Sequence, residues 1–198
     1  MKPKRWQDHY TRQAQKENFP ARSVFKLKEM QQRYRLVQPG GQVLDLGCSP
    51  GSWLLYAAQL TGPGGRVLGI DITPVQIHLP AHVQVCTADI FDTEALKAVG
   101  LKQAFDVVLS DMAPATTGQK VVDAARSLAL CERALEVAME ALVTGGAFVC
   151  KVFQSEDFQN LHQSLKNTFN QTSIFKPRSS RKASREIYLI GMGKKQEA

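Results

Sequence analysis

From about Gly40 onward the hydrophobic residues of this chain fall into short, nearly unbroken apolar runs, separated by polar and glycine-rich segments. GQVLDLG (41–47) reads as a strand ending at a Gly-rich turn. RVLGID (66–71), VQVCTAD (83–89), FDVVLSD (105–111), AFVCKVF (147–153) and EIYLIGMG (186–193) read as five more. Runs this continuous in apolar residues are expected of strands covered on both faces rather than one. Gly62 to Gly65 and Gly145-Gly146 read as the breaks before the second and fifth strands. Between the fourth and fifth strands, Val121, Ala125, Leu128, Cys131, Leu135, Ala138 and Leu142 recur every three or four residues, which predicts a helix with one apolar stripe. Phe158, Leu161, Leu165 and Phe169 repeat that spacing. Ahead of the sheet, Ser23 is placed to N-cap a helix over about 24–35. Alternation of strand and helix predicts an α/β, mostly parallel, doubly wound sheet with helices on both faces.

The 198 residues suit one domain, and 43% hydrophobic content argues against a mainly disordered chain. The expected organisation is a basic arm and helix over 1–36, the sheet domain over 37–193 and a tail over 194–198. The formal charge of +7 is unevenly spread. Residues 1–36 hold ten Lys/Arg against three Asp/Glu, residues 37–173 hold eight against thirteen, and residues 174–198 hold seven against two. Basic ends around an acidic middle suit a polyanion such as RNA, DNA or an anionic membrane surface, or else serve as solubilising tails. No run approaches the roughly 18 apolar residues of a membrane span, and the opening MKPKRWQDHY lacks the apolar stretch of a secretory signal. Cys48, Cys86, Cys131 and Cys150 are far apart and form no CxxC pair. Neither a zinc site nor a disulfide framework is indicated, so a reducing cytoplasm is expected.

The first strand leads into Gly47-Cys48-Ser49-Pro50-Gly51-Ser52-Trp53, which opens a helix. In open α/β sheets ligands bind beyond the carboxyl ends of the strands, and Gly47 and Gly51 permit close backbone approach there. The G-x-x-x-G spacing is not the G-x-G-x-x-G of dinucleotide sites, and no Lys follows to make a P-loop. Asp71 and Asp89 end the next two strands, where carboxylates can accept ribose hydroxyls and an adenine amine, or can instead hold the turns that follow. Gly turn and acids together favour an adenosine-containing ligand without a pyrophosphate, a description S-adenosylmethionine (SAM) fits. Asp111 and Lys151 end the fourth and fifth strands beside that ligand, Glu186 begins the last, and Lys26 lies in the first helix.

These residues carry a resemblance. DLGCSPGSW, SDMAP (110–114), KVFQ (151–154), SRE-Y (184–188) and the entering RSVFKLKEM (22–30) are similar, in order, to the signatures of the FtsJ/RrmJ-type RNA ribose 2′-O-methyltransferases. Cys48, Ser49 and Ser52 stand where Ala and Gly are commoner in that family. The resemblance spans nearly the whole chain. It implies a Rossmann-like SAM-dependent methyltransferase sheet of seven strands, the last antiparallel, and a Lys-Asp-Lys-Glu catalytic group falling on Lys26, Asp111, Lys151 and Glu186. It also implies cofactor contacts at Gly47, Pro50, Gly51, Trp53, Asp71, Asp89 and Asp111, no metal, and a monomer acting on ribosomal RNA of the large subunit, at a uridine ribose of the A-loop. Alternatives that stay open are a tRNA ribose, an mRNA cap, or a non-catalytic rRNA-binding assembly factor. A nicotinamide-dependent dehydrogenase is disfavoured by the missing G-x-G-x-x-G.

For RNA contact the basic ends supply Arg5, Arg12, Lys16, Arg22, Lys28, Arg33 and Arg35 on one side, and Lys176, Arg178, Arg181, Lys182 and Arg185 on the other. Such cations position phosphates rather than select bases. Trp6, Tyr10 and Phe19 could stack on bases or pack the arm onto the domain.

Overall fold

The computed structural model describes residues 9–99, 101, 104–155, 158–181 and 183–196. Arg5, Trp6 and Lys182 lie outside them. The predicted strands are present as β1 (Gln42–Leu46), β2 (Arg66–Asp71), β3 (Val83–Thr87), β4 (Phe105–Ser110), β5 (Leu142–Phe153) and β7 (Glu186–Lys194). A further strand, β6 (Phe169–Phe175), completes a seven-stranded sheet in the order β3-β2-β1-β4-β5-β7-β6. β1 to β5 pair in parallel, and β7 runs antiparallel between β5 and β6. The order reverses between β1 and β4, so the chain leaves those two strands in opposite directions and opens a crevice above them.

Helices α1 (His9–Lys16), α2 (Val24–Tyr34), α3 (Ser52–Thr61), α4 (Thr93–Val99), α5 (Lys120–Ala141) and α6 (Phe158–Thr168) cover the sheet. One apolar layer joins Leu27 and Met30 of α2 and Leu54 of α3 to Val43, Leu109 and Ile190 on the sheet. The other joins Cys131 and Val137 of α5, and Leu161 and Leu165 of α6, to Leu44, Val108 and Phe148. The strands are thus buried on both faces, as their unbroken apolar runs require. Ala14, Phe19, Val24 and Phe25 form a small third cluster that fastens α1 to α2. No helix among the described residues is long and apolar enough to cross a membrane.

Five local expectations are corrected. The buried face of α5 is Ala124, Ser127, Cys131, Ala134, Ala138 and Ala141, whereas Val121 is 83% exposed and Ala125 is exposed. Small residues let the helix axis sit close to the sheet, so the side facing in is chosen by fit and not by hydropathy alone. Gly145-Gly146 does not precede β5 but lies inside it, at a register shift against β4 where Gly145 has φ +86°. Phe169 does not extend the stripe of α6; it is the first residue of β6. Ser23 occupies the N-cap position of α2 but makes no side-chain cap; its carbonyl instead accepts the Trp53 indole N–H at 2.9 Å. Lys194, assigned to the tail on sequence, is the buried last residue of β7.

Candidate active site

Two cavities concern the site, the first above the carboxyl ends of the central strands and the second between the start of α2 and the start of β7. The first, about 570 Å³, is lined by Gly47, Asp71, Asp89, Asp111, Met112 and the exposed apolar side chains of Ile72 and Phe91. Its size is that of a small-molecule site. Gly47 has φ +77°, and a Cβ there would lie 2.3 Å from Met112 Cγ, far inside van der Waals contact, so only glycine lets the β1 turn run along this wall. Asp71 accepts Ser49 N–H at 2.9 Å on one oxygen and Thr73 N–H at 2.7 Å on the other. Asp89 accepts Phe91 N–H at 2.9 Å. Both carboxylates therefore hold turns, and each keeps lone pairs facing the cavity that a diol or an amine could use. The donor set suits an adenosine-type ligand: two anchored carboxylates, an apolar pair at the mouth and a glycine-permitted approach. Asp123, accepting Thr117 N–H at 2.7 Å and Gly118 N–H at 3.2 Å, ties down the loop that continues this wall.

Of the residues expected to contact the cofactor, Gly47, Asp71, Asp89 and Asp111 line this cavity, while Pro50, Gly51 and Trp53 stand behind its wall. Gly51 caps α3 with φ +108° against Ile77. Trp53 is buried, its ring 6.0 Å from that of Tyr188.

At the rim, the four charged residues meet. Lys151 does not end β5 as expected but lies two residues inside it, because β7 pairs with β5 as far as Phe153; it is buried, reaches Asp111 Oδ1 at 3.0 Å and also donates to the Asp111 carbonyl. Lys26 pairs with Glu186 at 2.8 Å and approaches Asp111 Oδ1 at 3.9 Å. Lys26 and Lys28 sit two residues apart, about 200° around a helix, so they face opposite ways. Lys28 bonds Glu17 and lies over the Phe19, Phe25 and Tyr56 rings. Ser180 donates to Glu186 Oε1 at 2.7 Å. Burial pushes the Glu186 carboxyl up, but Lys26, Ser180 and Lys151 outweigh it and hold the group below the usual carboxylate range.

Two members of this site escaped sequence reasoning. Tyr188 is wholly buried beneath the network and donates its phenol to Asp111 Oδ1 at 2.5 Å. Burial first, and then Asp111 and Glu186, raise the phenol well above its ordinary pKa, so it remains a donor. Its place in the SRE-Y signature, one face-repeat after Glu186, was the available signal. Asp45, in the middle of β1, is buried with neither carboxyl oxygen hydrogen-bonded. Burial, with Asp111 and Asp71 adding repulsion, raises its pKa well above the carboxylate range.

The basic candidates divide. Arg22 and Arg181 line a second cavity of about 430 Å³ beside Lys26 and Glu186. Arg33 lies over the Tyr34 and Phe175 rings, Lys176 donates to the Ser184 and Glu186 carbonyls, and Arg185 donates to the Lys120 carbonyl. Arg35 lines a cavity at the opposite end of the sheet, with Gly40, Gly41 and Gly146. Phe19 is buried against Tyr56, and Tyr10 packs on Phe25, so both fasten the arm.

A doubly wound sheet with its strand order and antiparallel β7 as here, and a cavity over the switch between β1 and β4, defines a Rossmann-like methyltransferase. The sequence model of the FtsJ-like methyltransferase family matches residues 19–194, and the chain belongs to that family. It is 55% identical to the ribosomal RNA large subunit methyltransferase E of Desulforapulum autotrophicum, over 98% of this chain and 97% of that protein. It is 49% identical to the protein of the same name from Bdellovibrio bacteriovorus, over 95% and 97%. A crystal structure described as a ribosomal RNA methyltransferase from Plasmodium falciparum superimposes with TM-score 0.78 at 25% identity, over 90% of this chain and all of that one.

Proposed function

We propose that this protein transfers a methyl group from SAM to a ribose 2′-OH of RNA, namely a uridine of the large-subunit rRNA A-loop. In this reading it works as a cytoplasmic monomer, with residues 1–36 and the 176–185 loop contacting RNA. The observation that carries the reading is Lys151, buried near the end of β5, doubly bonded to Asp111 and adjacent to the cavity that Asp71 and Asp89 share. The names of the relatives supply the rRNA substrate.

Gly47, Asp71, Asp89 and Asp111 would hold the cofactor, which when bound supplies a methyl carbon activated by a sulfonium charge. The chain must then align a weakly nucleophilic hydroxyl and take its proton. Lys151, held by both the carboxylate and the carbonyl of Asp111, contacts the target hydroxyl, orients it and takes its proton. Tyr188 and Lys26 share the Asp111 charge, and Glu186 keeps Lys26 in place.

The test is a methylation assay with labelled SAM on tRNA, free rRNA and large subunits from a strain lacking the endogenous enzyme, followed by mapping of the modified ribose. Lys151→Ala should lower the rate by about 10²–10⁴-fold. Incorporation into a base or a protein, or near-full activity of K151A, overturns the proposal.

A further inference from the structure

One face of α5 frames the cavity that Asp71 and Asp89 share. Asp123, Arg126, Leu130 and Arg133 recur along the helix at intervals of three and four residues, so they lie in one row. Asp123 holds the Thr117–Gly118 turn, Arg126 donates to the Ala115 carbonyl at 3.4 Å, and Leu130 stands in the cavity wall. Arg133 ends the row. Its Nε–H donates at 2.7 Å to the carbonyl of Ile90, 43 positions away in sequence.

That carbonyl lies in a turn, between two residues that line the cavity, Asp89 and Phe91. The Ile90 side chain is buried in the apolar layer that α5 shares with the sheet. The turn is therefore fixed twice, by this side chain on the core and by its carbonyl on Arg133. Its shape is set locally, by Phe91 N–H on Asp89 Oδ1 at 2.9 Å and Asp92 N–H on the Asp89 carbonyl at 3.0 Å. Arg133 sets where that shape sits relative to α5. The guanidinium is itself held, because Nη1 pairs with Glu136 at 2.8 Å and only 17% of the side chain is exposed. A guanidinium bonds a carbonyl through one N–H and a carboxylate through another in one fixed plane, which a lysine ammonium does not reproduce.

We infer that Arg133 is a positioning residue of the cofactor site: by anchoring the Ile90 carbonyl it fixes where the Asp89 carboxylate and the Phe91 ring meet the adenine. The inference rests on the proposed use of SAM, with Asp89 accepting the exocyclic amine. Hydrogen bonds weaken steeply once donor and acceptor are misaligned. A turn free to shift would leave Asp71 and the Gly47 wall in place but would read the base poorly. Arg133 is not among the residues lining the cavity, so it acts through Ile90.

The test uses the full chain and calorimetric titration with S-adenosylhomocysteine and with S-inosylhomocysteine, in which a carbonyl oxygen replaces the exocyclic amine. The wild type should prefer the adenine compound. Arg133→Ala should bind it about tenfold more weakly and lose most of the preference. Arg133→Lys, which keeps a donor, should recover part of both, and it carries the comparison should R133A not fold. Lys166→Ala, exposed on α6, is the control for loss of one positive charge and should match the wild type. In methyl-transfer assays KM for SAM should rise in R133A while kcat at saturation is unchanged. In the ligand-free chain, amide exchange over 88–92 should quicken in R133A with the unfolding temperature near that of the wild type. A merely structural role gives a lower unfolding temperature with base preference intact. That pattern, or unaltered affinity and preference in R133A, overturns the inference. If R133A loses the preference but the wild type methylates no RNA, the proposed reaction fails and the role of Arg133 stands. If RNA is methylated and R133A keeps the preference, the reverse holds.

Discussion

Replacing Tyr188 by Phe removes one oxygen from beneath the active site and leaves the ring. The ring keeps its packing on Trp53 at 6.0 Å and its place under the Lys26 ammonium at 5.8 Å, so the fold should survive. What is lost is the O–H that reaches Asp111 Oδ1 at 2.5 Å. A hydrogen bond to a charged acceptor contributes about 1.5–3 kcal/mol. If the transition state feels all of that loss, single-turnover methyl transfer should slow by about 10- to 150-fold. A second signature separates positioning from packing: kcat should fall while SAM and RNA affinities stay at their wild-type values. A merely structural role would lower the unfolding temperature without that selective loss of kcat. Single-turnover rates, binding titrations and thermal unfolding, run in parallel, decide the matter. A wild-type rate in Y188F would refute the argument that Tyr188 positions Lys151 through Asp111.

Three further outcomes are expected. Asp45 has a raised pKa in the fold, so its proton favours folding at acid pH, and stability is lost as pH rises through the folded value; chemical unfolding should show Asp45→Asn gaining on the wild type at neutral pH, by about 1–3 kcal/mol, with the gap closing toward pH 4. Glu186 has a lowered pKa, so it stabilises above the ordinary carboxylate range and loses that effect as pH falls through its folded value; Glu186→Gln should be the less stable protein at pH 7 and converge with the wild type in acid. Gly47→Ala places a Cβ against Met112 at φ +77°, a conformation that costs about 1–2 kcal/mol before any clash, and calorimetric titration should show SAM affinity falling steeply.

The sequence by itself determined the elements and the ends that carry chemistry. Continuous apolar runs mark strands buried on both faces, and a charged residue closing such a run, as Asp71 and Asp111 do, must emerge at the crevice. The glycine of the first turn was legible because a positive φ leaves few other choices. β6 was not legible in its own residues, since its alternation of polar and apolar side chains is that of a half-exposed strand next to a helix pattern. Nor was the face of α5, where close packing selects alanines over leucines.

Tertiary structure decided which groups meet. Tyr188 bonds Asp111 only because β7 inserts beside β5 in antiparallel register, pairing Lys151 with Tyr188. Arg22 and Arg181 face one cavity because Glu29 of α2 binds the loop between β6 and β7. Asp45 looks in sequence like any strand residue before a turn, and only burial on both faces of β1 leaves its oxygens without partners. The physical reason is the same in each case. Local periodicity records which way a side chain points from its own backbone, whereas the partner it meets depends on strand order and on packing between segments far apart in the chain.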